Sequence, residues 1–375
     1  MSSPPPQQTP FAVLLGGDVM LGRGVDQILP HPGDPLLRER WVEDARRYVE
    51  IAEKTNGPIP RPVDFGWPWG DIGPVIDQLA PALRLINLET AITRDGEYAP
   101  RKGIHYRMNP ANLAALEAFR PDVCALANNH ILDFGARGLR DTLDALGAAR
   151  IRTAGAGTDI AAACRPAVLE PVTGRRVVIV SVASTSSGVP VAWAAQHHRP
   201  GVWLLDGPPG RGVADHVAAH LLAHDRTGDV LIVSVHWGPN WGYGVGLSEI
   251  QFAHRLIDAG VDIVHGHSSH HPRPIEIYRG KPILYGCGDV IDDYEGIAGH
   301  ESYRPELRLL YLISLEPGGQ PTGIRMIPLR ERHMRLEHAA RADTDWLVEM
   351  LTHISHRFHT HIDRGTDDLL RIRWD

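Results

Sequence analysis

Residues 11–18 read FAVLLGGD. Five apolar residues, Phe11 to Leu15, are the length of a buried strand, far short of the roughly eighteen that a membrane helix requires. Gly16 and Gly17 end the run, and Asp18 is left at the strand's carboxyl end. The same pattern recurs along the chain. Residues 83–88 run into Glu89, 122–127 into Asn128, Asn129 and His130, and 229–235 into His236. Residues 261–264 run into His265, Gly266 and His267, followed by Ser268, Ser269, His270 and His271. In parallel α/β sheets the carboxyl ends of strands open onto the crevice where ligands bind. Five such ends, supplying carboxylate, amide and imidazole, are expected to converge on one place.

Outward from these runs, further strands are expected at 176–181, 274–278, 282–285 and 307–315. Helices are expected at 111–119, 137–148, 213–223, 247–259 and 346–358. In the 247–259 segment, Leu247, Ile250, Ala253, Leu256 and Ile257 gather on one face at a 3.6-residue period. The alternation predicts an α/β fold. The later strands have no helices between them and predict antiparallel pairs in the C-terminal half. Residues 26–70 break the alternation with a charged helical candidate at 36–54 and then PIPRPVDFGWPWG (58–70). This stretch reads as an insertion or lid beside the first strand, or as a surface excursion without a role. The expected partition is a disordered leader at 1–10, one domain over 11–330 and a C-terminal helical extension over 331–375.

Composition narrows the function classes. With 375 residues, 43% hydrophobic and 22% charged, the chain has the make-up of a soluble globular protein. A net charge of −7 argues against nucleic-acid binding, because no basic field exists to displace phosphate counterions. No run is long enough for a membrane span, and MSSPPPQQTP has neither a basic nor an apolar signal region. Three scattered cysteines predict no disulfide framework and a reducing, cytoplasmic setting.

Taken singly, each candidate has an ordinary explanation: Asp18 as a helix cap, Glu89 as a surface charge, His236 as a core histidine. The HGHSSHH run is the hardest to dismiss, with four histidines in seven residues separated by small ones. Oxygen donors mixed with imidazole suit Mn, Fe or Zn, and one or two such ions are a common device for hydrolysing phosphoesters. Arg23 and the Arg101–Lys102 pair offer positive charge for an anionic substrate, or are plain surface cations. Ser184 to Gly188 line the pocket or form a loop. There is no Gly-x-Ser-x-Gly elbow and no phosphate-binding Walker sequence. Cys287 reads as packing, and His353, His356, His359 and His361 as helix-surface residues.

Six segments, in order, carry a family resemblance: GGDVMLGR (16–23), NLETAIT (87–93), ALANNHILDFG (125–135), TAGAGTD (153–159), SVHWGPNWG (234–242) and GHSSHHPRPIEIYRGKPILYGCGDVIDDY (266–294). They are similar to the CapA family of capsule and poly-γ-glutamate biosynthesis proteins, of the calcineurin-like metallophosphoesterase fold. The resemblance implies a two-sheet β-sandwich flanked by helices, in αββα layers, with a metal centre at the strand ends. It implies Asp18, Glu89, Asn129, His130, His236, His267 and His270 as the metal site, with His130 as general acid and Asp18 and His130 as the catalytic pair. Met20 stands where metallophosphoesterases carry a further histidine. His265 is an additional ligand or a residue that orients one. The resemblance further implies a metal-dependent hydrolase acting on a small or polymeric anionic substrate, with capsule-synthesis proteins as partners. A non-catalytic accessory of polymer synthesis, and an amidase cutting γ-glutamyl bonds, are the alternatives.

Overall fold

The computed structural model describes residues 10–316 and 319–372, so the expected leader falls outside them except for Pro10. Phe11–Val19 is the hub of the first sheet. It runs parallel to Leu83–Leu88, beyond which Val123–Ala125 and Arg152–Ala154 follow in parallel. On its other side it pairs antiparallel with Leu307–Leu315, which pairs antiparallel with Pro321–Glu331. The second sheet has Arg175–Ala183, Val230–His236, Ile263–His267 and Lys281–Leu284 in parallel. Its two edge strands, Ala167–Val172 and Ile275–Tyr278, are antiparallel. The antiparallel pairs expected late in the chain are therefore present, because strands joined by short connections can only turn back on themselves.

Period-two alternation builds the layers. Val13, Leu15, Leu83 and Leu85 from the first sheet pack against Val177, Ile179, Ile232 and Ile263 from the second, forming the inner core. Their neighbours Leu14, Ile86 and Leu88 face outward onto helices Leu113–Phe119 and Gly135–Ala148. Val178, Val180 and Val233 face outward onto Arg211–Leu222 and Leu247–Asp258. The result is helix, sheet, sheet, helix, with both sheets covered. Strands buried on both faces read as unbroken apolar runs, which is why FAVLL shows no alternation in sequence.

Two segments differ from expectation. In the 36–54 stretch only Arg46–Asn56 is helical. Residues before it fold back, with the Leu37 amide on the Glu43 carbonyl at 2.9 Å, and the Asp44 carboxylate accepts the Arg46 amide at 2.9 Å where the helix begins. The 26–70 segment packs Tyr48, Val49, Ala52 and Trp69 into the outer core of the first sheet. Residues 331–372 hold more than a helix. Besides Arg341–Ser355, the short strands Leu336–His338, Ile362–Arg364 and Leu370–Ile372 extend the first sheet. Three-residue strands are too short to leave a periodic signal. Among the described residues no helix is long and apolar enough to cross a membrane, and all three cysteines are free.

Gly17 shows how tightly the hub strand is held. A Cβ there would lie 1.8 Å from the Gly288 carbonyl oxygen, which accepts the Asp18 amide at 3.0 Å. Backbone cannot yield as a side-chain tip does. Gly17→Ala is expected to cost about 3 kcal/mol or more, seen as an earlier midpoint in urea unfolding.

Candidate metal centre

The strand ends do converge. Asp18 closes the hub strand, His236 and His267 close neighbouring parallel strands of the second sheet in register with each other, and Glu89 follows Leu83–Leu88 directly. His236 Nδ1 and His267 Nδ1 lie 2.9 Å apart, and His267 Nδ1 is 3.5 Å from Asp18 Oδ1. One ligand atom from each of Asp18, His236 and His267 falls within 4.8 Å of the others, and all three side chains are buried. His236 Nε2 is 3.1 Å from Asn129 Oδ1 and 4.0 Å from Glu89 Oε1, and His130 Nε2 is 3.8 Å from the same Glu89 oxygen.

The carboxyls are crowded. Asn87 Nδ2 donates to Asp18 Oδ1 at 2.8 Å and to Glu89 Oε2 at 3.1 Å, while the Ser268 amide donates to Asp18 Oδ2 at 3.1 Å. Ser268 holds a left-handed φ of 108° to do so, a strained geometry for a residue with a side chain. Burial pushes Asp18 up to about 7. Burial, then the nearby Asp18 charge, pushes Glu89 well above the usual carboxylate range. Burial holds His236 and His267 well below the usual imidazole value, so both are neutral. Acidic oxygens that repel one another beside neutral imidazoles form a donor set that a divalent cation fits. It would draw the carboxyls back to their charged form and use the imidazole lone pairs.

His130 carries its own apparatus. Its Nδ1 lies 2.6 Å from Asp133 Oδ2, its ring stacks on Tyr106 at 3.8 Å, and Lys102 Nζ sits 3.0 Å from Nδ1. Lys102 also donates to the Asp133 carboxylate and the Asn129 carbonyl. His270 stands one step away, with Nδ1 3.0 Å from Asp289 Oδ2. Asp289 is itself the register partner of Asp18. The His270 ring also borders a cavity of about 180 Å³ shared with Trp241, Tyr294 and His300. Another cavity, of about 520 Å³, lies elsewhere, lined by Val75, His338 and Arg364 among others.

Three expected site residues are placed otherwise. His265 spends both nitrogens on Ser234 Oγ (3.1 Å) and the Gly16 carbonyl (3.0 Å), so it is no ligand as it stands. Arg23 is buried, not substrate-facing. Its guanidinium bonds Asp293 (2.5 and 2.8 Å) and Glu39 (2.9 Å) and lies 3.6 Å over the Tyr48 ring. It pins the 26–70 segment to the 292–294 turn. Arg23→Met leaves two buried carboxylates without their partner and is expected to cost about 3–5 kcal/mol of stability, measurable by denaturant titration. Arg101 is exposed, and Lys102 beside it is the cation that reaches the centre.

A family model described as bacterial capsule synthesis protein PGA_cap matches residues 12–294. The chain belongs to this family. It is 60% identical over 361 residues to a probable polyglutamine synthesis accessory protein of Mycobacterium tuberculosis, covering 96% of this chain and 95% of that one. It is 26% identical to the PGA biosynthesis protein CapA of Bacillus subtilis over 74% of this chain and 62% of the relative. Among solved structures, a 5'-nucleotidase precursor from Thermus thermophilus aligns with 91% of this chain and 58% of its own, at a TM-score of 0.47 and 14% identity. Every member of the Asp18, His236 and His267 cluster lies within the segment matched to the capsule-synthesis family. So do Asp133 and Asp289, which the sequence motifs alone do not single out as site residues. Gly288-Asp289 repeats the Gly17-Asp18 pattern that marks the first strand end, and that repetition is the signal the sequence holds for it.

Proposed function

We propose that this capsule-synthesis family member is a metal-dependent hydrolase whose centre is Asp18, His236 and His267, bordered by Glu89 and Asn129. It would act on a phosphoester or a related acyl or amide bond of an anionic substrate in poly-γ-glutamate metabolism. The observation that carries the reading is the buried Asp18–His236–His267 cluster with His130 set beside it on a carboxylate. When bound there, a divalent cation supplies Lewis acidity, polarising a phosphoryl or carbonyl oxygen and lowering the pKa of water. The chain's own residues do the rest. Asp133 accepts from His130 Nδ1 and so leaves Nε2 facing Glu89 and the centre. Burial, and then the Lys102 charge, keep His130 neutral. Its Nε2 is thus a proton acceptor at rest, and a proton given to a leaving group is one it has first taken up. Lys102 balances Asp133 and is the cation nearest an incoming anion.

A second reading is an accessory of polymer synthesis without turnover. It is favoured by the near-complete burial of the centre, where His236 and His267 have no exposed surface, and by the M. tuberculosis relative's description as an accessory protein. Purified, metal-loaded protein offered bis(4-nitrophenyl) phosphate, a phosphomonoester and a γ-linked glutamyl peptide separates the two. Turnover of any one supports the hydrolase and names its bond class. No turnover, together with co-purification of polymer-synthesis proteins, supports the accessory.

A further inference from the structure

Four groups outside the cluster determine where its imidazoles carry their protons. The Gly16 carbonyl lies 3.0 Å from His265 Nε2 and can only accept, so that nitrogen bears the proton. An uncharged imidazole carries a single proton, so His265 Nδ1 is then a lone pair. Ser234 Oγ, 3.1 Å from that Nδ1, has one proton and must spend it there. The hydroxyl then meets His267 Nε2, 2.9 Å away, with lone pairs alone, so His267 Nε2 must donate. An uncharged His267 with its one proton on Nε2 has a bare Nδ1. Asp18 Oδ1, at 3.5 Å, is too distant to claim a proton from it. On the other side, His236 Nε2 donates to Asn129 Oδ1 at 3.1 Å, which leaves His236 Nδ1 bare as well. Two lone pairs thus face each other across 2.9 Å beside a carboxylate, an arrangement that a cation relieves and a proton-free gap does not.

We propose that the Gly16 carbonyl, His265 and Ser234 form a buried relay that fixes His267 as its Nε2–H tautomer and so aims Nδ1 at the cation. The inference rests on the metal-centre reading above. Strand alternation makes the relay possible. Ser234 and His236 are two residues apart on one strand, His265 and His267 on the next, and the pairs are in register. All four therefore point to the same inner face, where the first sheet presents Gly16. His265 and Ser234 are positioning residues: they act on the cation through His267.

The test reads tautomer and metal affinity separately. In metal-free, 15N-labelled wild type, imidazole nitrogen shifts are expected to show His267 protonated at Nε2. His265→Phe releases the Ser234 proton to His267 Nε2 and is expected to move the His267 proton to Nδ1. Ser234→Ala, a mild change in a buried strand, is expected to leave a mixture, and Ser234→Thr, which keeps the hydroxyl, to restore the wild-type form. The Kd for Zn or Mn from chelator competition is expected to weaken about 10–100-fold in the first two variants and not in the third. A wild type protonated at His267 Nδ1 overturns the relay, as do folded His265→Phe and Ser234→Ala proteins that bind metal like wild type. A wild type with the expected tautomer but no metal affinity supports the relay and sinks the metal-centre reading instead.

Discussion

Asp18→Asn and His267→Ala are each expected to yield folded protein that has lost its bound divalent metal, while wild type purified alongside retains it. The carboxylate is central to the effect. Asp18 is buried against Glu89 and Asp289, and burial has already raised it to about 7. Without a cation it is a destabilising charge, so removing that charge is expected to leave the metal-free fold no less stable than metal-free wild type. With metal the order reverses. A ligand at a hundredfold excess over its Kd adds about 2.7 kcal/mol to folding, and only wild type gains it. Thermal melts with and without Mn or Zn, paired with elemental analysis, read both halves. The sign with pH follows from the same group. The cation needs the charged carboxylate, and below about 7 a proton competes for it, so affinity is expected to fall about tenfold per pH unit for each proton displaced. Asp18→Asn protein that still carries metal, or shows the same thermal gain as wild type, would remove the centre from where the fold puts it.

Much of this arrangement was legible in the sequence, because the local signals and the global fold agree. FAVLLGGD, LANNH, VSVHWG and IVHGH each pair a largely apolar strand with chemistry at its end. A doubly covered sheet turns that into a common crevice. What stayed hidden depends on contacts between segments far apart in the chain. Arg23 follows the Asp18 motif closely and looks like a substrate cation. Its partners Glu39 and Asp293 come from the 26–70 insertion and a late turn, and nothing near Arg23 announces them. Lys102 and Arg101 are equivalent in sequence, and only the fold brings the lysine onto Asp133. His265 sits in the richest histidine run, yet strand register hands it to Ser234 and Gly16. The short C-terminal strands were invisible for a different reason. At three residues each, they are specified by the strands they pair with, Pro321–Glu331 for Leu336–His338 and Leu370–Ile372, and Leu370–Ile372 in turn for Ile362–Arg364, and not by their own pattern.

His130→Ala is expected to lower turnover by about 10²–10⁴-fold, the usual worth of a positioned proton carrier, while leaving bound metal in place. The geometry separates the two quantities. His130 Nε2 points at Glu89 from 3.8 Å and lies outside the Asp18–His236–His267 cluster, whereas its Nδ1 is committed to Asp133. Asp133→Asn tests the same idea from behind the ring. The carboxylate can only accept and, at 2.6 Å against 3.0 Å for Lys102 Nζ, is the nearer group facing Nδ1, which favours a proton on Nδ1 and a bare Nε2. An amide allows the opposite tautomer, so turnover is expected to fall even though no atom facing the substrate has changed. Asp133 also receives the Tyr106 amide at 2.7 Å and the Lys102 ammonium, so a stability measurement must accompany the kinetics. If Asp133→Asn and His130→Ala each depress turnover in folded, fully metallated protein, and the double variant is no worse than the worse single one, the two act as one unit. Turnover that survives His130→Ala undiminished would mean that protons reach the leaving group by some other path, and the hydrolase reading would lose the residue that distinguishes it from a structural metal site.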